Sequence, residues 1–217
     1  MTDDSFSKWS GALAPKVVEA LKGRRFEAHY CWTSEEAREK ALSLLPRNSS
    51  VSWGGSVTLQ QTGVLDAVRE GGFKIIDRDS ADTPERKFEL SRQAFLCDSY
   101  LTSFNAVSED GQLVNIDGIG NRVAAITFGP KSVVAVVGMN KVCKTLDDAI
   151  SRARNLAAPL NVQRLASLMP IATPCASTGS CADCRSADCI CCSIEVTRMC
   201  RVQGRIKIIL VGEPLGF

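Results

Sequence analysis

Ser50-Val-Ser-Trp-Gly-Gly-Ser56 is the stretch on which the fold turns. Its first four residues read as a short buried strand. The glycine pair turns the chain, and Ser56 or Thr58 opens a helix that carries Leu59, Val64, Leu65 and Val68 and ends at Gly71-Gly72. The same strand–loop–helix unit recurs downstream. Strand Phe73–Ile76 precedes a helix from Thr83-Pro84 to about Cys97, with proline in the tolerated first turn. Strand Ser99–Asn105, the turn at Glu109-Asp-Gly111 and strand Leu113–Ile116 lead into the loop Asp117–Gly120 and a helix from Asn121. Strand Ser132–Val137, loop Gly138–Lys141 and helix Leu146–Ala157, capped by Thr145 or Asp147, make the last clear unit. Upstream, Leu13, Val17, Val18 and Leu21 mark a helix over Phe6–Lys22 that Gly23 ends, and Phe26–Cys31 is extended. Thr33 or Ser34 then caps a helix with Glu35 and Glu36 in its first turn, stopped by Pro46. Short, nearly all-apolar strands alternating with helices predict an α/β fold: a mostly parallel sheet with helices on both faces.

Beyond Pro159 the texture changes. Asn161–Leu168 reads as one more short helix. Thr173–Cys192 is cysteine-rich with almost no large apolar residues, so it reads as a loop clamped onto the α/β body. Ile194–Arg198 and Arg205–Val211 are strand-like, and the expectation is an antiparallel hairpin whose last strand rejoins a sheet. The chain has 217 residues, 45% hydrophobic and 23% charged, which is enough apolar mass for one domain over residues 1–217. A net charge of +2 gives no electrostatic case for nucleic acid or an anionic membrane as partner. The start, Met1-Thr-Asp-Asp-Ser-Phe-Ser-Lys8, lacks the basic and apolar regions of a signal peptide. The longest apolar candidate, Val123–Met139, is broken by Gly129, Pro130 and Lys131, so a cytoplasmic location is expected.

Ten cysteines are the abnormal number. Cys31, Cys97 and Cys143 are scattered; seven fall in Cys175-x5-Cys181-x2-Cys184-x4-Cys189-x-Cys191-Cys192-x7-Cys200. In a reducing compartment such a cluster points to metal or redox chemistry, with structural disulfides, redox-active thiols and incidental cysteines as the alternatives. Thiolate is the soft ligand for zinc and iron–sulfur clusters, and four close either site. Cys181 and Cys184 form a two-sulfur bite, and Cys175 with Cys189 or Cys191 completes the set. His29 is the sole histidine, so a mixed site is disfavoured, and the residue itself reads as structural. Spacing alone leaves iron–sulfur against zinc undecided.

In parallel sheets ligands sit beyond the carboxyl ends of the strands. Four loops there carry suitable chemistry: Gly54-Gly55-Ser56, Asn105, Asp117 with Asn121 and Arg122, and Asn140 with Lys141. Together they predict a cleft for a small anion, carboxylate or phosphate. The plainer readings are a tight turn at Gly54-Gly55, an Arg122–Asp117 pair and a solvated Lys141. Gly118-x-Gly120 lacks the third small residue of the dinucleotide fingerprint, since Val123 stands there, which excludes nicotinamide binding. Trp53, Phe128 and Met139 read as core or pocket wall.

Val51-Ser-Trp-Gly-Gly-Ser-Val-Thr-Leu59, Ile76-Asp-Arg-Asp79, Asn105-Ala-Val-Ser-Glu-Asp-Gly111, Leu113–Ala125, Phe128–Lys141, Ala157-Ala-Pro-Leu-Asn161 and Val211–Phe217 together resemble the LUD (lactate-utilisation) domain family, in motif order over nearly the whole chain. The resemblance implies a NagB/RpiA/CoA-transferase-like fold and a part in oxidation of lactate and related organic acids, beside iron–sulfur partner proteins. A similar subgroup carries Pro-Cys-x5-Cys-x2-Cys-x6-Cys, which falls here on Cys175, Cys181, Cys184 and Cys191 and implies a 4Fe–4S cluster there, with zinc as the alternative. Cys189, Cys192 and Cys200 are extra to that pattern. No motif matches the superfamily's catalytic acid. The expected function is therefore a redox or electron-transfer component of organic-acid utilisation. The competing expectations are a ligand-binding or regulatory domain with structural zinc, and a CoA- or sugar-phosphate-using enzyme.

Overall fold

A computed structural model describes residues 4–217 of the chain; Met1–Asp3 of the polar start lie outside the described residues. Helix α1 (Asp4–Gly23) leads to strand β1 (Glu27–Cys31) and α2 (Ser34–Ser43); β2 (Ser50–Trp53) is followed by α3 (Val57–Gln61) and α4 (Val64–Glu70). Strand β3 (Lys74–Ile76), α5 (Pro84–Gln93) and β4 (Ser99–Thr102) come next, then β5 (Ala106–Ser108), β6 (Leu113–Asp117), α6 (Asn121–Phe128) and β7 (Ser132–Gly138). After β8 (Val142–Cys143), α7 (Leu146–Arg152) and α8 (Ala158–Ala166), the chain closes with α9 (Pro174–Thr178), β9 (Ser193–Thr197) and β10 (Ile206–Val211).

Six strands form one sheet in the order β1-β10-β7-β4-β2-β3, every pair parallel. Its central strands are buried on both faces. Val133, Ala135 and Val137 with Ile206, Ile208 and Leu210 pack toward α1, while Val134, Val136, Ile209 and Val211 pack toward α2 and α4. The α/β expectation holds, because strands with no polar face need helices on both sides. A second sheet, β8-β5-β6-β9, lies against α7 and is antiparallel except where β8 meets β5.

The C-terminal strands depart from the expected hairpin. β9 joins the small sheet beside β6, whereas β10 enters the main sheet between β1 and β7. Their patterns account for the split. Ser193-Ile-Glu-Val-Thr197 alternates and leaves Ile194 and Val196 exposed, which suits an edge, while Ile206-Lys-Ile-Ile-Leu-Val211 is nearly all apolar and needs an interior place. Three further boundaries differ. Gly63 in the left-handed region divides the helix after Ser56 into α3 and α4. The strand expected over Ser99–Asn105 stops at Thr102, and the chain turns through Ser103–Asn105 into the second sheet. α7 and α8 run on through a π-turn at Ala153–Ala157, with Pro159 in the first turn of α8, where its missing N–H costs little. Trp53 and Met139 are buried as expected, but Phe128 is 91% exposed because α6 ends there, at Gly129.

Thr145, not Asp147, caps α7. Its hydroxyl accepts from Asp148 N–H while the Asp148 carboxylate accepts from Thr145 N–H. Thr145→Ala is expected to cost about 1 kcal/mol in a urea melt.

Candidate functional site

The strand-to-helix loops of the main sheet and the facing wall of α8 enclose a cleft of about 690 Å³. Of the residues singled out in the sequence, Gly55, Ser56, Asn105, Asp117, Asn121, Arg122 and Lys141 line it; Gly54 and Asn140 do not. Gly54 continues the strand ladder to Leu101 O, and a Cβ there would stand 2.9 Å from the Tyr100 hydroxyl. Asn140 holds the last segment of the chain, its Oδ1 accepting from Leu215 N–H at 3.0 Å. Ser56 caps the single turn of α3. Sequence reasoning missed Arg69, Arg78, Lys87, Ser103 and Arg164 on the walls. The signal for Arg78 was its place just past β3, within Ile76-Asp-Arg-Asp79. Five cations besides Lys141 (Arg69, Arg78, Lys87, Arg122 and Arg164) against three carboxylates (Asp66, Asp79 and Asp117) give the lining a net positive charge.

Arg122 differs from the free bidentate donor expected. Its terminal nitrogens donate to Ser103 O at 3.0 Å, Asn105 Oδ1 at 3.0 Å, Ile116 O at 2.5 Å and Asn115 Oδ1. Asp117 is not its ion-pair partner. That carboxylate accepts instead from the N–H groups of Gly118, Arg122 and Val123 and opens α6. Arg122 is thus a strut tying the Ser103–Asn105 turn to β6 and α6 in the wall of the cleft. Arg152 on α7 repeats the device, donating to Asn105 O at 2.6 Å and Asn140 O at 3.2 Å.

Lys141 is not a solvated lysine. It is 3% exposed, and its Nζ donates to Thr58 Oγ1 at 2.9 Å and Ser103 Oγ at 3.1 Å. No carboxylate pairs with it among the described residues. Burial, then the Arg152 and Arg122 cations, bring its pKa down to about 7. Unfolding restores the ordinary value near 10.5, so between about pH 7 and 10.5 the unfolded chain binds the extra proton. Stability from this residue therefore rises with pH across that window and is lowest below it. The difference in melting temperature between Lys141→Met and the parent is expected to shrink or reverse as pH rises from 7 to 10.

The cysteine segment is pinned to the body. Gln163 of α8 donates to Cys175 O and Ala176 O, Arg154 pairs with Asp183 at 2.6 Å, and Asp188 accepts from Ala172 N–H. Cys175, Cys181, Cys184 and Cys191, joined by Cys189, line one cavity of about 60 Å³. Cys192 is exposed outside it, and Cys200 is buried in the main core with its thiol on Val202 O. Burial, then the neighbouring Cys189, Cys181 and Cys175, push the Cys191 thiol up to about 12. The donor set is soft, all-sulfur and convergent on one cavity, which fits zinc or an iron–sulfur cluster. Among the described residues, however, no three cysteine, histidine or acidic side chains stand close enough to hold one metal ion as arranged. Ile190 lines both the cysteine cavity and the cleft, and its backbone lies beside Gly118.

No helix among the described residues is long and apolar enough to cross a membrane. A comparison with curated proteins finds no match. Among solved structures, the chain is similar to a DUF162 family protein from Deinococcus radiodurans, with TM-score 0.53 and 10% identity over 93% of this chain and 97% of that one, a likeness of fold. It is less similar to ribose 5-phosphate isomerase A from Neisseria gonorrhoeae, with TM-score 0.35 and 16% identity over 64% and 67%. The expected α/β fold with a mostly parallel sheet stands in the six-stranded sheet and its two helical layers. The LUD domain model matches residues 14–211, and the chain belongs to that family.

Proposed function

We propose that the chain is a cytoplasmic component of lactate and related organic-acid utilisation, with a redox or electron-transfer role. Cys175, Cys181, Cys184 and Cys191 would hold an iron–sulfur cluster, with zinc as the alternative, and the cleft would take a small carboxylate or phosphate. The observation that supports this reading is adjacency: Ile190 lines both the cysteine cavity and the cationic cleft. A bound cluster supplies one-electron redox capacity; zinc supplies none. In this reading Arg69, Arg78 and Lys87 draw the anion in, Arg122 and Arg152 hold the loops in place, and Ile190 keeps the thiols apart from the ligand. An iron–sulfur protein is the partner that would pass electrons onward.

Anaerobic purification with iron, acid-labile sulfide and zinc quantified tests the reading. Iron and sulfide are expected in the parent, falling sharply when Cys175, Cys181, Cys184 or Cys191 is singly replaced by serine. Cys192→Ser is expected to leave the metal unchanged, since that thiol lies outside the cavity. A colourless zinc stoichiometry would replace the redox role with a structural one, and a metal-free protein would end both.

A further inference from the structure

Within the cleft stands an amine to which the reading above gives no role, Lys141. Lys141 Nζ is held by two neutral hydroxyls, Thr58 at 2.9 Å and Ser103 at 3.1 Å, and both of those residues line the cleft beside it. The last segment of the chain closes its other side, where a Cβ on Gly216 would stand 3.0 Å from Nζ. A buried ammonium without a carboxylate is costly, and the flanking Arg122 and Arg152 add repulsion, so the site favours a neutral amine. A desolvated lysine beside cationic groups is the arrangement that makes an amine nucleophilic toward carbonyl carbon. Holding an anion needs none of this, since an exposed, fully charged lysine does it better.

We propose that Lys141 is an imine-forming residue whose Nζ adds to the carbonyl carbon of a 2-oxo acid seated in the cleft. The lone pair on Nζ forms the C–N bond while the carbonyl π pair moves to oxygen. The proton shed by nitrogen reaches that oxygen through the Ser103 or Thr58 hydroxyl. The second nitrogen proton follows the same hydroxyl relay to the carbinol oxygen, and the nitrogen electron pair forms C=N as the C–O bond breaks and water leaves. Amine and oxo acid thus give imine and one water, with no net electron transfer. The choice of a 2-oxo acid rests on the organic-acid reading; the amine chemistry rests on the cleft alone.

The test is reductive trapping. The full chain is incubated at neutral pH with pyruvate and cyanoborohydride, and its intact mass is read. One adduct of about 72 Da per chain is expected, mapping by peptide analysis to Lys141 and absent from Lys141→Arg and Lys141→Met. Mapping on the parent protein keeps the test decisive if a variant folds poorly. No adduct with pyruvate or longer 2-oxo acids would overturn the proposal. So would adducts spread over surface lysines with equal yield in Lys141→Arg, or trapping of a ketose phosphate but no oxo acid. Metal content is read on the same preparation. Trapping without metal overturns the redox reading and leaves this one standing, and metal without trapping does the reverse.

Discussion

Arg122→Met is expected to lower folding stability by about 3 kcal/mol. The guanidinium donates to four oxygens, two on β6 and two on the turn between the sheets. Asn105 Oδ1 keeps another donor, Ile116 N–H at 3.0 Å, but Ser103 O, Asn115 Oδ1 and Ile116 O would each lose this bond. Each buried acceptor left unpaired costs roughly 1–3 kcal/mol, and relief from burying the charge returns part of the sum. The buried guanidinium carries that burden already, since desolvation lowers its pKa. Arg122→Lys is expected to fall in between, because an ammonium cannot replace the planar fork that reaches both the turn and β6. Urea melts of both variants give the measurement. A methionine variant within about 0.5 kcal/mol of the parent would show that water satisfies those oxygens and that the strut is dispensable.

The main sheet was readable from residues because its strands declare their surroundings locally. Val133–Val137 is apolar at every second and every intervening position, which only two covered faces satisfy. The strand-end loops followed from the same pattern, so seven of the nine residues named for the cleft do line it. What escaped depends on partners distant in sequence. Lys141 meets Thr58 and Ser103 from 83 and 38 residues away, and nothing in Gly138-Met-Asn-Lys141 distinguishes a buried amine from a solvated one. Arg122 looked like a ligand donor because two of its four acceptors are backbone carbonyl oxygens, which every residue carries, and the other two are uncharged amides. The antiparallel hairpin failed for a related reason: β9 and β10 are neighbours in sequence, but their burial demands differ. Spacing could not separate Cys189 from Cys191 either, since both line the same cavity.

Gly138→Ala is expected to cost about 2–3 kcal/mol although no unusual backbone angle requires glycine there. Gly138 ends β7 with φ −66°, ordinary for any residue, so the demand is for space. A Cβ would stand 2.7 Å from Leu215 N and 2.9 Å from Glu213 O, both backbone atoms, and would collide with the Asn140 amide oxygen. None of these gives way freely. Asn140 Oδ1 is the acceptor for Leu215 N–H, and Glu213 is anchored by Ser34, whose N–H and hydroxyl both donate to its carboxylate. The methyl group therefore lifts residues 213–216 off the strand end or breaks the Asn140 bond. Either change loosens Gly216 from its place against Thr58 and Lys141 and admits water to the amine. Two measurements should move together: the melting temperature falls by several degrees, and Lys141 becomes more reactive toward an amine-modifying reagent at neutral pH. A lowered melting temperature with unchanged labelling would mean that the closing segment does not shield the amine, and that its burial comes from Thr58 and Ser103 alone.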